Sequence, residues 1–384
     1  MKKILIVTDD RSMGGVSVLL EDILKNVSYK FKIDLMILNN NGKCFENLPE
    51  NIKIIYGTKF FDIIGIHLKN MIKERRIIQV IKKAYLIFLM KTGLIKYRIK
   101  KERKKLNLPK YDVEIAFKDG FTSCFTGYGD AKEKIQWIHS DYSKVDYLKN
   151  YKKQYIKLFD LFTKVVAVSD PVKQNFNAIY GQKEKTIVIN NLIDTNKIIN
   201  RSKEDNPKLS DAKTNLITVG RLHKDKNFDG LINVIARLKK DGIFKDMHLS
   251  IIGDGDEMQN LVSLVKELKL EKEVTLLGNQ INPFKYLKSA DLFVLSSKHE
   301  SFGNVVIEAL TLNIPVVATK VATMHEMLDS DYGIIVKNSN EGIYEGLKTV
   351  LTDDNKIKKF KENLKKNYKY NNKKIIKDIE NLLK

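Results

Sequence analysis

The chain has 384 residues, 43% hydrophobic and 30% charged, and its 68 Lys and Arg outnumber 47 Asp and Glu to give a net charge of +21. That length exceeds one ordinary core and fits two domains of roughly 150–200 residues each, and the composition excludes a disordered chain. Two cysteines, Cys44 and Cys124, exclude a disulfide scaffold or a cysteine-based metal cluster, so a reducing cytoplasm is the expected setting.

In chain order, the opening "MKKILIVTDD" has an apolar run too short for a signal peptide and reads as a first strand, 4–7. No later run reaches the roughly 18–20 apolar residues of a membrane span. Further strands are expected at 32–38, 113–117, 135–139, 164–169 and 186–190. Helices are expected at 15–27, within 67–105, and at 146–160 and 170–180. A polar stretch, 194–214, reads as a linker. The alternation then restarts, with strands at 216–220, 249–253, 274–278, 291–296, 315–319 and 333–336. The expected fold class is therefore α/β, two doubly wound Rossmann-like domains with parallel sheets. The first spans 1–193 and the second 215–355, followed by Lys-rich helices at 356–384 that pack back toward the first domain.

The positive charge is local. Residues 69–110 hold 15 Lys and Arg against Glu74 and Glu102, and 356–384 hold 11 Lys against three acids. The remainder is balanced, which points to one docking surface rather than a general affinity for polyanions. Segment 78–105 sets apolar residues among Lys and Arg with no acid before Glu102, as an amphipathic helix on an anionic membrane surface would. Nucleic acid is not an expected partner, because charge alone specifies no ligand.

Ligands of doubly wound sheets bind beyond the carboxyl ends of the strands. Several strands run there into turns that hold Gly220, Gly253, Gly278 or Ser296, and Gly253 and Gly278 join the donor-binding candidates. In "HESFGNVVIEAL" (299–310), Gly303 lets the backbone turn closely, and a helix starting near Asn304 offers N–H groups to an anion such as a diphosphate. Glu300 would repel that anion unless it accepts hydrogen bonds from sugar hydroxyls, and Glu308 can do the same for a ribose. In "VGRLHKDKNFDGL" (219–231), Arg221 and Lys226 supply countercharge for a leaving diphosphate. Gly14 and Gly15, in "RSMGGVSVLLEDIL", form a turn after the first strand that can approach the same group, and His139 ends a strand in "WIHSDY". "GDGDE" (253–257) mimics a metal-binding Asp-x-Asp but sits where helix-start acids belong, so no metal is assigned.

Together, "MGGVSVLL", "GRLHKDKNF", "ESFGNVVIEAL" and "PVVAT" resemble the family 4 retaining glycosyltransferases, whose signature is a glutamate pair separated by seven residues. The resemblance implies a GT-B fold, with a nucleotide diphosphate sugar as donor held mainly by the second domain, and retention of configuration without metal or other cofactor. It implies that Arg221 and Lys226 bind the diphosphate with Gly15 facing it, and that Glu308 binds the ribose. Glu300, with the backbone of Phe302, Gly303 and Asn304, would hold the transferred sugar and phosphate, and His139 would contact that sugar. "YDVEIAFKDG" and "KIQWIHSDYS" look most like members that build bacterial surface polysaccharides. That likeness favours a UDP-sugar donor and a lipid-linked or oligosaccharide acceptor, with Asp119 as an acceptor-side candidate, on the inner face of the plasma membrane. The chain departs from the pattern at Val321, Ala322 and Thr323, where glycines are usual, and Asn313 replaces a common glycine at a helix end. A nucleotide-sugar epimerase of the same fold and a non-catalytic partner subunit are the alternatives.

Overall fold

A computed structural model describes residues 1–9, 15–39, 45, 48–63, 77–142, 152–205, 207–321, 323–353 and 355–384. They form two compact units, Met1–Leu192 joined by Asn372–Lys384, and Ile193–Asn371.

The first unit is built on a sheet of seven strands in the order β3-β2-β1-β4-β5-β6-β7. These are β1 (Lys3–Thr8), β2 (Lys32–Ile37), β3 (Lys53–Tyr56), β4 (Val113–Ala116), β5 (Glu133–Ile138), β6 (Lys164–Ala167) and β7 (Thr186–Val188). Every recorded pairing is parallel. The sheet needs helices on both faces, and Ile4, Leu5, Ile6 and Val7 of β1 are accordingly all buried. The covering helices are α1 (Gly15–Val27), α2 (Ile77–Thr92), α3 (Ile95–Leu106), α4 (Phe121–Gly127), α5 (Lys152–Phe159) and α6 (Asp170–Tyr180). Between α5 and α6, Phe159 packs edge-on against Phe176 and Tyr180, with ring centroids 5.0 and 4.9 Å apart.

The second unit repeats the plan with six strands in the order β10-β9-β8-β11-β12-β13. They are β8 (Thr214–Val219), β9 (Met247–Ile252), β10 (Val274–Gly278), β11 (Leu292–Leu295), β12 (Val316–Thr319) and β13 (Gly333–Val336), again parallel in every recorded pairing. Its helices are α7 (Thr195–Arg201), α8 (Phe228–Lys240), α9 (Met258–Glu267), α10 (Pro283–Lys288), α11 (Asn304–Thr311), α12 (Met324–Met327), α13 (Asn340–Leu351) and α14 (Lys356–Asn367). Leu231, Ile235 and Leu238 of α8 meet Ile343, Leu347 and Val350 of α13 in one apolar core over the sheet.

The structure differs from the sequence reading in four places. Strand β3 was not expected. Stretch 194–214 is not an open linker, because Asp194 accepts a hydrogen bond from Lys197 N at 2.9 Å and so caps α7. The Lys-rich C-terminal helices part company: α14 stays with the second unit, and α15 (Asn372–Leu383) joins the first. Finally, the basic segment 78–105 is not one helix. Gly93 adopts φ 74 and separates α2 from α3, whose Glu102 and Arg103 are buried rather than displayed. The expected helix starts at 67 and 146, like Gly14, lie outside the described residues.

Candidate active site

In the second unit the candidates converge where β8 and β11, which are neighbours in the sheet, end. After β8 comes Arg221, which is exposed, then a short 3-10 turn at Lys224–Lys226, then α8. Asn227 begins α8 at φ 55, a left-handed conformation that asparagine tolerates, and its side chain donates to Asn340 Oδ1 at 3.1 Å. After β11, Ser296 Oγ donates to the carbonyl of Lys226 at 2.7 Å, and the N–H of Lys298 donates to that of Asp225 at 2.7 Å. These two bonds stitch the Lys226 turn to the loop that carries Glu300.

Lys226 Nζ lies 2.5 Å from Glu300 Oε1, and Ser297 Oγ donates to the same oxygen at 2.7 Å. Thr319 Oγ1, at the end of β12, donates to the Ser297 carbonyl at 2.6 Å. One carboxylate oxygen of Glu300 is therefore fixed by a cation and a hydroxyl. The Arg221 guanidinium has no ion pair among the described residues. Next in the chain, Gly303 starts α11 at φ 96, where a Cβ would come within 2.8 Å of Met324 Cε. No side chain caps α11, which leaves the positive end of the helix dipole for an anion. Phe302 is buried, and its carbonyl accepts from Thr323 Oγ1.

Glu308 sits on α11 one turn inward, and burial pushes its carboxyl up to about 7. It makes no hydrogen bond or ion pair through that carboxyl among the described residues. A buried carboxyl without a protein partner suits hydroxyl donors from a ligand. Gly253, by contrast, has a packing reason to be glycine: a Cβ there would lie 1.8 Å from the Gly220 carbonyl. Gly278 ends the edge strand β10 at φ 67 with open space around it. Asn313 takes the expected left-handed cap, at φ 60. In the "GDGDE" loop, Asp254 Oδ1 accepts from Gly255 N at 2.8 Å, as a loop acid would. No group of three or more His, Cys, Asp or Glu able to hold a metal occurs among the described residues.

The other candidates belong to the first unit. Gly15 opens α1 after β1, Asp119 follows β4 beside Gly120 at φ 89, and His139 follows β5. His139 Nε2 lies 2.8 Å from the Phe117 carbonyl, its ring against Phe117 and Trp137. A carbonyl only accepts, so Nε2 carries the proton and Nδ1 keeps a lone pair. Burial lowers this imidazole to about 3, so it is neutral and can accept a hydroxyl hydrogen bond. Ser297 and Thr319 were not anticipated, and Thr323 was noted only as standing where a glycine is usual. The available signal was small hydroxyl residues at the ends of two neighbouring strands.

Residues 200–367 match the family model described as glycosyl transferases group 1. The match falls within the second unit and spans most of it. A curated relative from Campylobacter jejuni is 29% identical over 377 residues, 95% of this chain and 94% of its own. It is named N-acetylgalactosamine-N,N'-diacetylbacillosaminyl-diphospho-undecaprenol 4-alpha-N-acetylgalactosaminyltransferase. The lipopolysaccharide core biosynthesis glycosyltransferase LpsE of Rhizobium meliloti is 32% identical over 178 residues, 45% of this chain and 50% of its own. A crystal structure of Anabaena HepE in complex with UDP and glucose aligns with TM-score 0.73 at 18% identity, over 100% of this chain and 99% of that one. That likeness shows the fold, which is GT-B.

Proposed function

We propose that the protein is a family 4 retaining glycosyltransferase that assembles bacterial surface polysaccharide. It moves a hexose or N-acetylhexosamine from a UDP-sugar to a lipid-linked saccharide, at the inner face of the plasma membrane. The observation that carries this reading is the Lys226–Glu300–Ser297 constellation beside Arg221 and the uncapped start of α11. It combines cations for a diphosphate with a carboxylate for sugar hydroxyls on one sheet edge. The name of the Campylobacter relative also supports it. That name specifies a diphospho-undecaprenol acceptor and an α linkage, which is retention when the donor is α-configured.

In the reaction, the bond from the anomeric carbon to the diphosphate oxygen breaks and the acceptor hydroxyl bonds to that carbon from the same face. The acceptor proton passes to the leaving phosphate oxygen. Charge grows on the diphosphate, so Arg221, Lys226 and the α11 N-terminus lower the barrier more than they tighten the ground state. Glu300, with the backbone from Phe302 to Asn304, holds the sugar and its phosphate. Glu308 holds the ribose. In this reading His139 is assigned to a sugar hydroxyl, Gly15 to the diphosphate, Gly253 and Gly278 to the donor edge, and Asp119 to the acceptor. No metal is needed, since cationic side chains already meet the leaving group.

The test is transfer from a panel of nucleotide sugars to an undecaprenyl-diphosphate saccharide, with and without excess chelator. Transfer with anomeric retention, unaffected by chelator, is expected; absence of transfer, inversion, or loss restored by magnesium or manganese overturns the corresponding part. Lys226→Ala should lower kcat by about 10²–10³, while Glu308→Ala should mainly raise KM for the donor. Wild-type kcat and KM in both variants would reject the site.

A further inference from the structure

In the first unit, α2 leaves its apolar residues outside. Ile77, Ile78, Ile81, Tyr85 and Phe88 are 46–71% exposed, while Leu86, Leu89 and Met90 face inward. At 3.6 residues per turn the five exposed side chains fall on one face spanning about 100°, bounded by Lys82 on one side and Lys91 on the other. Beyond the break at Gly93, Leu94 and Tyr97 of the next helix are also exposed, at 42% and 62%. Seven of the sixteen large exposed apolar residues in the described chain lie in this stretch of 21 residues. Scattered exposed apolar residues need no partner, but a continuous stripe on one helix does.

The surroundings say what kind. Lys82, Lys91, Lys96, Lys100, Lys101 and Lys104 form no ion pair among the described residues. Beside the stripe lies a cleft of about 280 Å³ lined by Lys59, Phe60, Lys82, Tyr85, Arg98 and Lys105. Its floor is the buried carboxylate of Glu102, which Arg98, Lys105 and Thr58 hold at 2.9, 2.9 and 2.6 Å. That carboxylate neutralises part of the cleft, and Lys59 and Lys82 remain unpaired for an anion. No described helix is long and apolar enough to cross a membrane, so the apolar face can enter only the interface.

We infer that α2 and the start of α3 form a docking surface for an anionic lipid leaflet. The stripe from Ile77 to Tyr97 enters the interface, and Lys59, Lys82, Lys91 and Lys96 meet phosphate headgroups. The proposal deepens the reading of a lipid-linked acceptor, on which it rests for its purpose, while its geometry is independent of the donor site. Apolar insertion and charge act together, so neither alone should hold the protein on the membrane.

The experiment is sedimentation of the full chain with vesicles of phosphatidylcholine, alone or with phosphatidylglycerol, at low and raised salt. The wild type should bind the anionic vesicles at least about tenfold better and weaken as salt rises. Two triple variants, Ile78→Gln/Ile81→Gln/Phe88→Gln and Lys82→Gln/Lys91→Gln/Lys96→Gln, change exposed side chains only and should melt like the wild type. Each should lose most of the binding. Equal binding to both vesicle types, binding to neither, or undiminished binding by the apolar variant overturns the proposal. So does a wild-type dimer that the apolar variant converts to monomer, which would make the stripe a contact between copies. Titration of UDP into the same proteins reports on the donor site separately. Its failure beside intact vesicle binding would strike only the transferase reading.

Discussion

Glu308 holds its proton more tightly in the folded chain, at about 7 against an ordinary 4.5, because burial penalises the charged form. Between those two values the native state binds the proton while the unfolded state releases it, so stability contributed by this group falls as pH rises through that window. Replacing Glu308 by Gln removes the cost. The variant should be more stable than the wild type by about 1–3 kcal/mol at pH 8, with the difference shrinking toward pH 5. Urea denaturation at the two pH values measures this, and a variant no more stable at pH 8 would contradict it. The same variant should also lose the rise in donor affinity expected between pH 6 and 8, as the carboxylate forms and accepts ribose hydroxyls. Glu308 was legible because it pairs with Glu300 across a glycine turn at a helix start, where a carboxylate facing an anion site needs a reason. Ser297 and Thr319 were not, since their role depends on two loops brought together by β11 and β12 and not on anything local in the sequence.

Among the elements, α3 shows how a basic helix can be partly structural. Arg103 Nη2 and Nη1 reach the two carboxylate oxygens of Glu114 at 2.7 and 3.0 Å, and Nη1 also reaches the Phe125 carbonyl. Both partners are buried, and desolvation outweighs the guanidinium in raising the Glu114 carboxyl. Arg103→Met should therefore destabilise the first unit by about 3–5 kcal/mol, because it strands a buried carboxylate. Adding Glu114→Leu should recover most of that loss. Equal urea midpoints for the single variant and the wild type would contradict the argument. Composition alone could not separate Arg103 from the exposed lysines around it, since its partner lies on a strand reached only through the fold. Strand β3 escaped for a different reason: it has four residues, Lys53–Tyr56, at a sheet edge, none fully buried. The signal was Gly57, where a Cβ would meet the Leu38 carbonyl at 2.0 Å. The α7 cap was written in the sequence as Asp194, but its polar surroundings read as a linker.

At the scale of the molecule, the alternation of strands and helices made two Rossmann-like units legible, because each buried parallel strand is a short apolar run ending in a turn. The ownership of the C-terminal helices was not legible. Both α14 and α15 are lysine-rich and amphipathic, and composition says only that each must pack somewhere. In the fold α15 lies on α1, with Ile375, Ile379, Leu382 and Leu383 buried and Lys30 Nζ 2.6 Å from Glu380 Oε1. That lysine lowers the Glu380 carboxyl. A chain ending at Asn371 would expose the matching face of α1. It should melt at least about 4 °C lower in its first unit, with UDP binding by the second retained. An unchanged melt would show that α15 contributes nothing there.

This exchange of a helix has a consequence for how the chain is made. Ile193–Asn371 is continuous, so the second unit has all its residues once they have left the ribosome. The half before it does not, because residues 372–383 emerge only after the entire second unit has been translated. During that interval the face of α1 that α15 will cover waits uncovered. The second unit therefore matures first, and the first unit, which bears the exposed apolar stripe of α2, is sealed last.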